Sequence, residues 1–263
     1  MSEMKFDRLK MYFGKPFEPG NGITVFIPTI GDILELSQSD MSFYQSLYVW
    51  VGNPTMYRLA LWDEGIDWNK ISDYQLFTSL IRSGDPDANK LLFGDLDLNG
   101  FLQYTKTYLV KDNNGDEIEK TEFTLYNKDF DIEISEDCYK LISEYLKAAF
   151  NIYPKVEKAK GRATKEAIIE EERMNILAKE KSGDKPSSVL LPLISACINH
   201  PGFKYDLEGL KNVNFVQFMD SVQRLQVYEN SRALLSGSMS GFCDMSKVPK
   251  DEFNFMRDLT AKK

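Results

Sequence analysis

"FLQYTKTYLVKDNNGDEIEKTEFTLYN", residues 101–127, decides the fold class of this chain. Two runs rich in Tyr, Thr and Phe flank the polar segment 111–117, and Asn114-Gly115 stands near its middle. Aromatic and β-branched residues favour strands, and Asn-Gly is a preferred pair at a tight hairpin bend. The sequence therefore predicts a β-hairpin over 101–127.

The stretch before the hairpin begins like a calcium-binding loop. Asp95, Asp97 and Asn99 alternate, and Gly100 follows at the position of the sharp turn. The twelfth position of such a loop should be a Glu that offers two oxygen ligands, and Lys106 stands there instead. We therefore expect a polar turn that leads into the first hairpin strand, and no metal site.

Outside the hairpin, hydrophobic periodicity indicates mostly helices. Two short strands over 5–13 and 23–28 and a further strand over 131–134 are the exceptions. Helices are predicted to begin after or at these residues: Thr29, Asp40, Asn53, Ser72, Ser135 and Asn214. The last is the strongest, with Phe215 and Phe218 on its apolar face and Gly237 at its end.

These elements predict a mainly α fold with a β-hairpin and short N-terminal strands, of the α+β class, with a helical bundle-like core. We divide the chain into an N-terminal α+β region (1–154), a charged helical linker or arm (155–185) and a C-terminal helical region (186–263). Fourteen of the 27 residues from 155 to 181 are charged. This segment is either a solvated helix that links two halves or an arm that docks on a partner.

The composition of the chain disfavours several classes of binding partner and of bound metal. The net charge is −8, from 32 basic and 40 acidic residues, which disfavours nucleic acid and anionic membranes as partners. Cys138, Cys197 and Cys243 lie far apart, which argues against disulfides and zinc. We find neither a signal peptide nor an apolar run of the ~20 residues that a membrane span needs. The expectation is a soluble cytoplasmic protein.

The sequence offers no recognisable catalytic constellation. His200 is the single histidine, and Cys197 precedes it by three residues within an apolar helix that we predict to be core. The nearest match to a nucleophile elbow, "GSMSG" at 237–241, has Met239 where the serine should stand. We therefore predict that the protein is not an enzyme and has no catalytic, cofactor-binding or metal-binding residues.

The aromatic helix at 41–51 is the candidate for an interface. Its large side chains cover more than one helical face, which is wider than one-sided burial in a monomer needs. Tyr44 and Tyr48 are the predicted anchors for a partner or for self-association. The alternative is that these aromatic residues are ordinary core.

Two parts of the chain suggest a family. "ITVFIPTIGDILELSQSDMSFYQSLYVWVGNP" (23–54), with "LWDEGIDWNKISDYQLFTSLI" (61–81), resembles the opening of small tail-module proteins of long-tailed phages and prophages of Gram-positive bacteria. "FMDSVQRLQVYENSRALLSGSMSGFCDMSKVPKDEFNFMRDL" (218–259) is similar to the end of the same group, which is encoded near tail-assembly chaperone genes.

The resemblance implies a non-enzymatic protein of the bacterial host cytoplasm that assists tail assembly. Its partner would be the tape-measure protein, the tail-tube protein or another tail subunit. A permanent tail or connector subunit of the virion is the second hypothesis. An enzyme of unrecognised type and a host-directed inhibitor are further alternatives. The hairpin and the charged helix lie outside the resemblance.

Overall fold

The computed structural model describes residues 6–111, 117–183, 187–240 and 246–259. Within these ranges the chain forms eleven α-helices and two small antiparallel sheets. The predicted fold class, mainly α with a hairpin and short N-terminal strands, is confirmed.

The helices in chain order are α1 (Arg8–Tyr12), α2 (Ile30–Leu34), α3 (Asp40–Val51), α4 (Arg58–Asp63), α5 (Asp73–Leu80), α6 (Pro86–Phe93), α7 (Glu136–Phe150), α8 (Arg162–Ser182), α9 (Leu190–Ile198), α10 (Leu207–Lys211) and α11 (Phe215–Ser240). Short 3-10 turns span Leu98–Gly100 and Lys250–Phe253. The strands are β1 (Phe17–Gly20), β2 (Ile23–Val25), β3 (Phe101–Lys111), β4 (Glu117–Asn127) and β5 (Ile132–Ile134).

Helix-capping side chains explain why several predicted starts are correct. Thr29 and Asp32 form a reciprocal capping box at α2, and Ser72 and Gln75 form another at α5. The Ser135 hydroxyl accepts a hydrogen bond from the N–H of Cys138 at α7 (3.3 Å). Each cap satisfies an N–H group that has no partner inside its helix.

Three predicted elements differ from the structure. The strand expected over 5–13 is replaced by helix α1, because the Asp7 carboxylate accepts a hydrogen bond from the Lys10 N–H and so caps the start of a helix. The helix expected from Asn53 begins only at Arg58, because the Asn53 side chain caps a turn and also reaches the carbonyls of a distant segment. Helix α11 does not end at Gly237 but continues to Ser240.

Helix α6 was not predicted, although its signals are present in the sequence. The Asp85 carboxylate accepts a hydrogen bond from the N–H of Ala88 (3.0 Å), and Pro86 occupies the first turn. Proline is favoured there because its missing N–H would have no helical partner.

The hairpin prediction is confirmed in its strands. β3 and β4 pair antiparallel from Phe101 opposite Asn127 to Lys111 opposite Glu117 without a register shift. β5 adds to β4 over Leu125–Asn127 only. The predicted bend at Asn114-Gly115 lies outside the described residues.

One hydrophobic core takes residues from both the first and the third predicted region. Phe43 on α3, Phe150 on α7 and Phe215 on α11 are buried and meet with ring centroids 4.9–5.8 Å apart. Trp50 extends this aromatic core towards Phe77, at 4.5 Å. The division into three regions stays a prediction, but the terminal two share their interior.

Backbone hydrogen bonds join the start of α2 to the start of α11. The Phe215 N–H donates to the Pro28 carbonyl and the Ile30 N–H donates to the Val213 carbonyl, each at 2.9 Å. The Asn214 side chain donates to the Tyr12 carbonyl (3.0 Å). These bonds fix α11 against the N-terminal part of the chain.

A buried carboxylate holds α9 in place. One oxygen of Asp40, at the start of α3, accepts hydrogen bonds from the Ser188 hydroxyl (3.0 Å) and from the N–H groups of Val189 (2.7 Å) and Leu190 (2.8 Å). A negative charge at a helix N-terminus is stabilising, because the exposed N–H groups there carry partial positive charge. Asp40 thus acts as the cap of a helix about 150 residues away in sequence.

The charged helix α8 docks its first half on α4. Ile169 is buried with Trp68 and Ala159 in a small cluster apart from the main core. Four ion pairs surround this contact: Arg58–Glu172, Arg58–Glu157, Lys165–Asp67 and Arg173–Asp63. The second half of α8 leaves Met174, Ile176 and Leu177 exposed, so a role as partner arm would fall on that half.

Phe218 allows a direct test of the core. Its side chain is fully buried (0% exposed), so Phe218→Ala should reduce the free energy of unfolding by about 3–5 kcal/mol, because it removes buried apolar contacts and leaves a cavity. Urea denaturation measures the change. Tyr228→Ala on the same helix is the control, because Tyr228 is half-exposed. Equal losses in both variants would contradict the assignment of Phe218 to the core.

Candidate protein-interaction surfaces

The predicted anchors Tyr44 and Tyr48 lie half-buried on one side of α3. Their rings stack on each other at 6.2 Å, and Tyr44 meets Phe215 edge-on at 6.4 Å. The structure therefore brings the two tyrosines together and packs them against the core. Their role as anchors for a partner stays a prediction.

The environment of Tyr44 favours the neutral phenol. Burial, with smaller contributions from Tyr48 and the Asp40 carboxylate, raises the pKa of Tyr44 to about 12. A carboxylate placed at this position would meet the same desolvation and the same neighbouring charge. A Tyr44→Glu substitution therefore perturbs the fold as well as any contact with a partner.

His200 and Cys197 lie one turn apart at the end of α9, where the His200 N–H donates a hydrogen bond to the Cys197 carbonyl (3.0 Å). The His200 Nδ1 accepts a hydrogen bond from the Gly202 N–H (3.0 Å), and its Nε2 faces Glu229 at 3.6 Å. Cys138 and Cys197 are buried, and burial raises the pKa of both thiols, that of Cys138 to about 11. A raised pKa keeps a thiol protonated and a poor nucleophile near neutral pH. Cys243 lies outside the described residues.

The stretch that resembles half of a calcium loop forms a turn. The Asp97 carboxylate accepts a hydrogen bond from the Asn99 N–H (2.9 Å) and so caps the 3-10 turn at Leu98–Gly100. The Asp97 carbonyl accepts one from the Asn127 side chain, which fixes the turn to the end of β4 (2.9 Å). Over the described ranges, no cluster of three or more His, Cys, Asp or Glu side chains is placed to hold a metal ion.

The outer side of α9 is apolar and exposed. Every residue of this helix except Ser195 is apolar, yet only Leu190 and Cys197 are buried, while Leu191 is 64% exposed. Pro192, Ser195 and Ala196 are exposed beside it, whereas Ile194 and Ile198, which follow Leu191 at helical spacing, are half-buried and pack in part against the main core. This stripe runs towards the turn that connects α9 to α10.

A groove continues the stripe at the end of α9. It has a volume of about 700 Å³ and is lined by Ile198 and by residues 203–208. The apolar side chains of its wall are Phe203, Tyr205 and Leu207, and Leu207 is 60% exposed. We call the stripe Leu191, Ile194 and Ile198 together with this groove the α9 surface.

Charged side chains border the groove. Asp206 and Glu208 are acidic and Lys204 is basic. Asp206 caps α10 through the Gly209 N–H (2.7 Å), and Glu208 pairs with Lys211 (2.9 Å). The α9 surface thus combines an apolar floor with a charged rim, the arrangement typical of protein-binding sites.

The hairpin is the second exposed feature. Its base is buried through Phe101 and Leu125, whereas all side chains from 102 to 109 are exposed. On the opposite strand Phe123 is 61% exposed. Most of the hairpin therefore projects beyond the core.

Sequence reasoning missed the α9 surface because an apolar helix was taken to be core. "VLLPLISACI" has the composition of a buried segment, and only its packing shows that one side is uncovered.

Comparison of the chain with protein-family models, with curated proteins and with solved structures finds no match in any of the three. None of the helices in the described part of the chain has the length and apolar character needed to cross a membrane.

The raised pKa of Tyr44 predicts a pH dependence of stability. A phenol whose pKa is about 10 in the unfolded chain and about 12 in the folded one stabilises the fold fully below pH 10, and this contribution is lost as the pH rises towards 12. At pH 11 the wild type should therefore have lost about 1 kcal/mol more than Tyr44→Phe, relative to pH 8. Urea unfolding at both pH values measures this. Parallel losses in the two proteins would show that Tyr44 is as solvated in the folded state as in the unfolded one.

Proposed function

We propose that this protein is not an enzyme and acts by binding an amphipathic helix of another protein on the α9 surface. The observation that carries the proposal is the exposed side of α9, a helix that is apolar at all positions but one. Leu191, Pro192 and Ala196 are exposed on it, while Leu193, Ile194 and Ile198 are half-buried against the core. Exposed apolar patches with a polar rim mark sites of protein contact, because covering them removes apolar area from water.

The shape of the α9 surface suits a helix. Leu191 and the uncovered parts of Ile194 and Ile198 lead into an apolar groove. Together they can receive the apolar side of a second helix, with one large side chain in the groove. The rim carries both signs of charge, with Lys204 beside Asp206 and Glu208, so it favours a partner helix whose charged residues flank its apolar stripe.

The resemblance to phage tail-module proteins directs the choice of partner. A tape-measure protein is long and helical, and its apolar stripes need cover in the host cytoplasm before a tail forms around it. The net charge of −8 would keep such a complex soluble. We therefore propose assistance of tail assembly in the cytoplasm of the bacterial host, with the tape-measure protein as partner and the tail-tube protein as the next candidate.

The second hypothesis, a permanent tail or connector subunit, uses the same contact but predicts a different fate. An assembly factor leaves the finished particle, whereas a subunit remains in it. Mass spectrometry of purified virions separates the two. Detection of this chain at a fixed ratio to the tail-tube protein would favour the subunit.

Leu191 and Leu207 provide the test of the α9 surface. Replacing either by Asp should lower capture of the tape-measure protein in a pull-down at least about tenfold, because a charge in the contact has to be desolvated. Both side chains are mostly exposed, so circular dichroism and melting temperature should change little. Leu177→Asp on the second half of α8 is the matched control, because Leu177 is also exposed.

Each alternative gives a distinct result. Capture that fails only in Leu177→Asp would move the contact to the α8 arm. Capture that fails only in variants of Tyr44 or Tyr48 whose melting temperature is unchanged would restore the interface expected from the sequence. Unchanged capture in all variants would reject the α9 surface.

A further inference from the structure

The outer edge of β3 is an open strand edge. The three-stranded sheet has the order β3-β4-β5, so β3 is an edge strand over its full length of eleven residues. Its pairing with β4 is regular from end to end, whereas the pairing of β1 with β2 has an irregular register. The Arg82 side chain donates a hydrogen bond to the carbonyl of Phe101 (2.7 Å) and covers the edge at its first residue.

The β3 edge carries little of the protection that exposed edges have. Natural edge strands are short, or are interrupted by proline, a bulge or a charge, because an open edge pairs with any strand that meets it. β3 is long, has no proline and has no bulge. Its one interior charge is Lys106, and the Lys106 ammonium pairs with Glu133 on β5, across the sheet from the open edge.

The Phe101 carbonyl shows which peptide groups face outward. Because it bonds to Arg82, it points away from β4. Successive residues of an antiparallel strand direct their N–H and C=O groups alternately to one side and the other. Thr105 and Thr107 therefore direct theirs to the open edge, as does every second residue between Phe101 and Lys111.

We propose that the β3 edge pairs antiparallel with the β3 edge of a second copy of this chain. The pairing joins the two three-stranded sheets into one six-stranded sheet, in which the strands of the two hairpins form the middle four. A single two-stranded hairpin is marginally stable in water, and two further strands give it the width that a stable sheet needs. The proposal concerns self-association only and is independent of the partner on the α9 surface.

The side chains of β3 are complementary to a second copy of themselves. When Thr105 lies on the two-fold axis, Lys106 of each copy lies opposite Tyr104 of the other. When Thr107 lies on the axis, Lys106 lies opposite Tyr108. In both arrangements a tyrosine ring can pack on the aliphatic part of the opposite lysine side chain while the Lys106 ammonium keeps its pair with Glu133. The register with Lys106 on the axis would place two lysines opposite each other and is disfavoured.

The β4 edge is less suited to the same pairing. Part of that edge, Leu125–Asn127, already pairs with β5. The second copy therefore fits β3.

Two threonines that face each other across the hairpin provide a matched pair of variants. Thr107 and Thr121 are cross-strand partners with their hydroxyl oxygens 3.3 Å apart, and by alternation each directs its N–H to the outer edge of its own strand. Thr107→Pro removes an N–H from the β3 edge, and Thr121→Pro removes one from the β4 edge. Sedimentation velocity should give twice the monomer mass for the wild type and Thr121→Pro, and the monomer mass for Thr107→Pro.

Cysteine variants test the same edge without proline. In a Cys243→Ser background, Thr105→Cys or Thr107→Cys should form a disulfide-linked dimer on mild oxidation, because one of these residues lies beside its own copy on the axis. Thr121→Cys should not. A monomeric wild type or a dimeric Thr107→Pro overturns the proposal. If both proline variants are monomeric, the cysteine variants decide. A disulfide-linked dimer of Thr105→Cys or Thr107→Cys, but not of Thr121→Cys, upholds pairing through the β3 edge. Any other pattern overturns it.

Discussion

The contact of Phe43, Phe150 and Phe215 is the constraint on which the rest of the structure depends. Each of three helices that are far apart in sequence supplies one ring to this contact. Because Phe215 has to pack against both Phe43 and Phe150, the contact fixes the position of α11 relative to α3 and α7. The hydrogen bonds of Pro28 and Ile30 to the start of α11 fix its direction. Burial of such large side chains is the main stabilising contribution available to the fold, and their close packing defines one arrangement of the helices.

The core does not bury all apolar segments of the chain. α9 is tied to the core through the buried Leu190 and Cys197 and through the Asp40 cap. Leu193, Ile194 and Ile198 pack there in part, and Leu191, Pro192 and Ala196 stay exposed. The hairpin is anchored at its base and projects from there. The two features differ in physical character, since α9 offers side chains and β3 offers backbone groups, and we therefore assign them to different contacts.

The sequence predicts those elements whose structure is determined locally. The hairpin strands, the α5 cap at Ser72 and the α7 cap at Ser135 follow from residues within a few positions of each other. The start of α4 does not, because Asn53 bonds to carbonyls about 100 residues away. The exposure of α9 is also non-local, since no pattern within nine residues tells which side of an apolar helix another part of the chain will cover. The sequence also cannot show that Tyr44 is half-buried, because its ring packs against Phe215, more than 150 residues away.

Hydrogen–deuterium exchange of the chain, alone and with the tape-measure protein, tests the account most directly. Segments with few buried contacts open locally and exchange fast, whereas core helices exchange slowly. Alone, α3, α7 and the first half of α11 should be protected, and α9 and the groove at 203–208 should exchange faster. Adding the tape-measure protein should slow exchange at 190–208 and leave 41–51 unchanged. Protection gained at 41–51 without any at 190–208 would contradict the account.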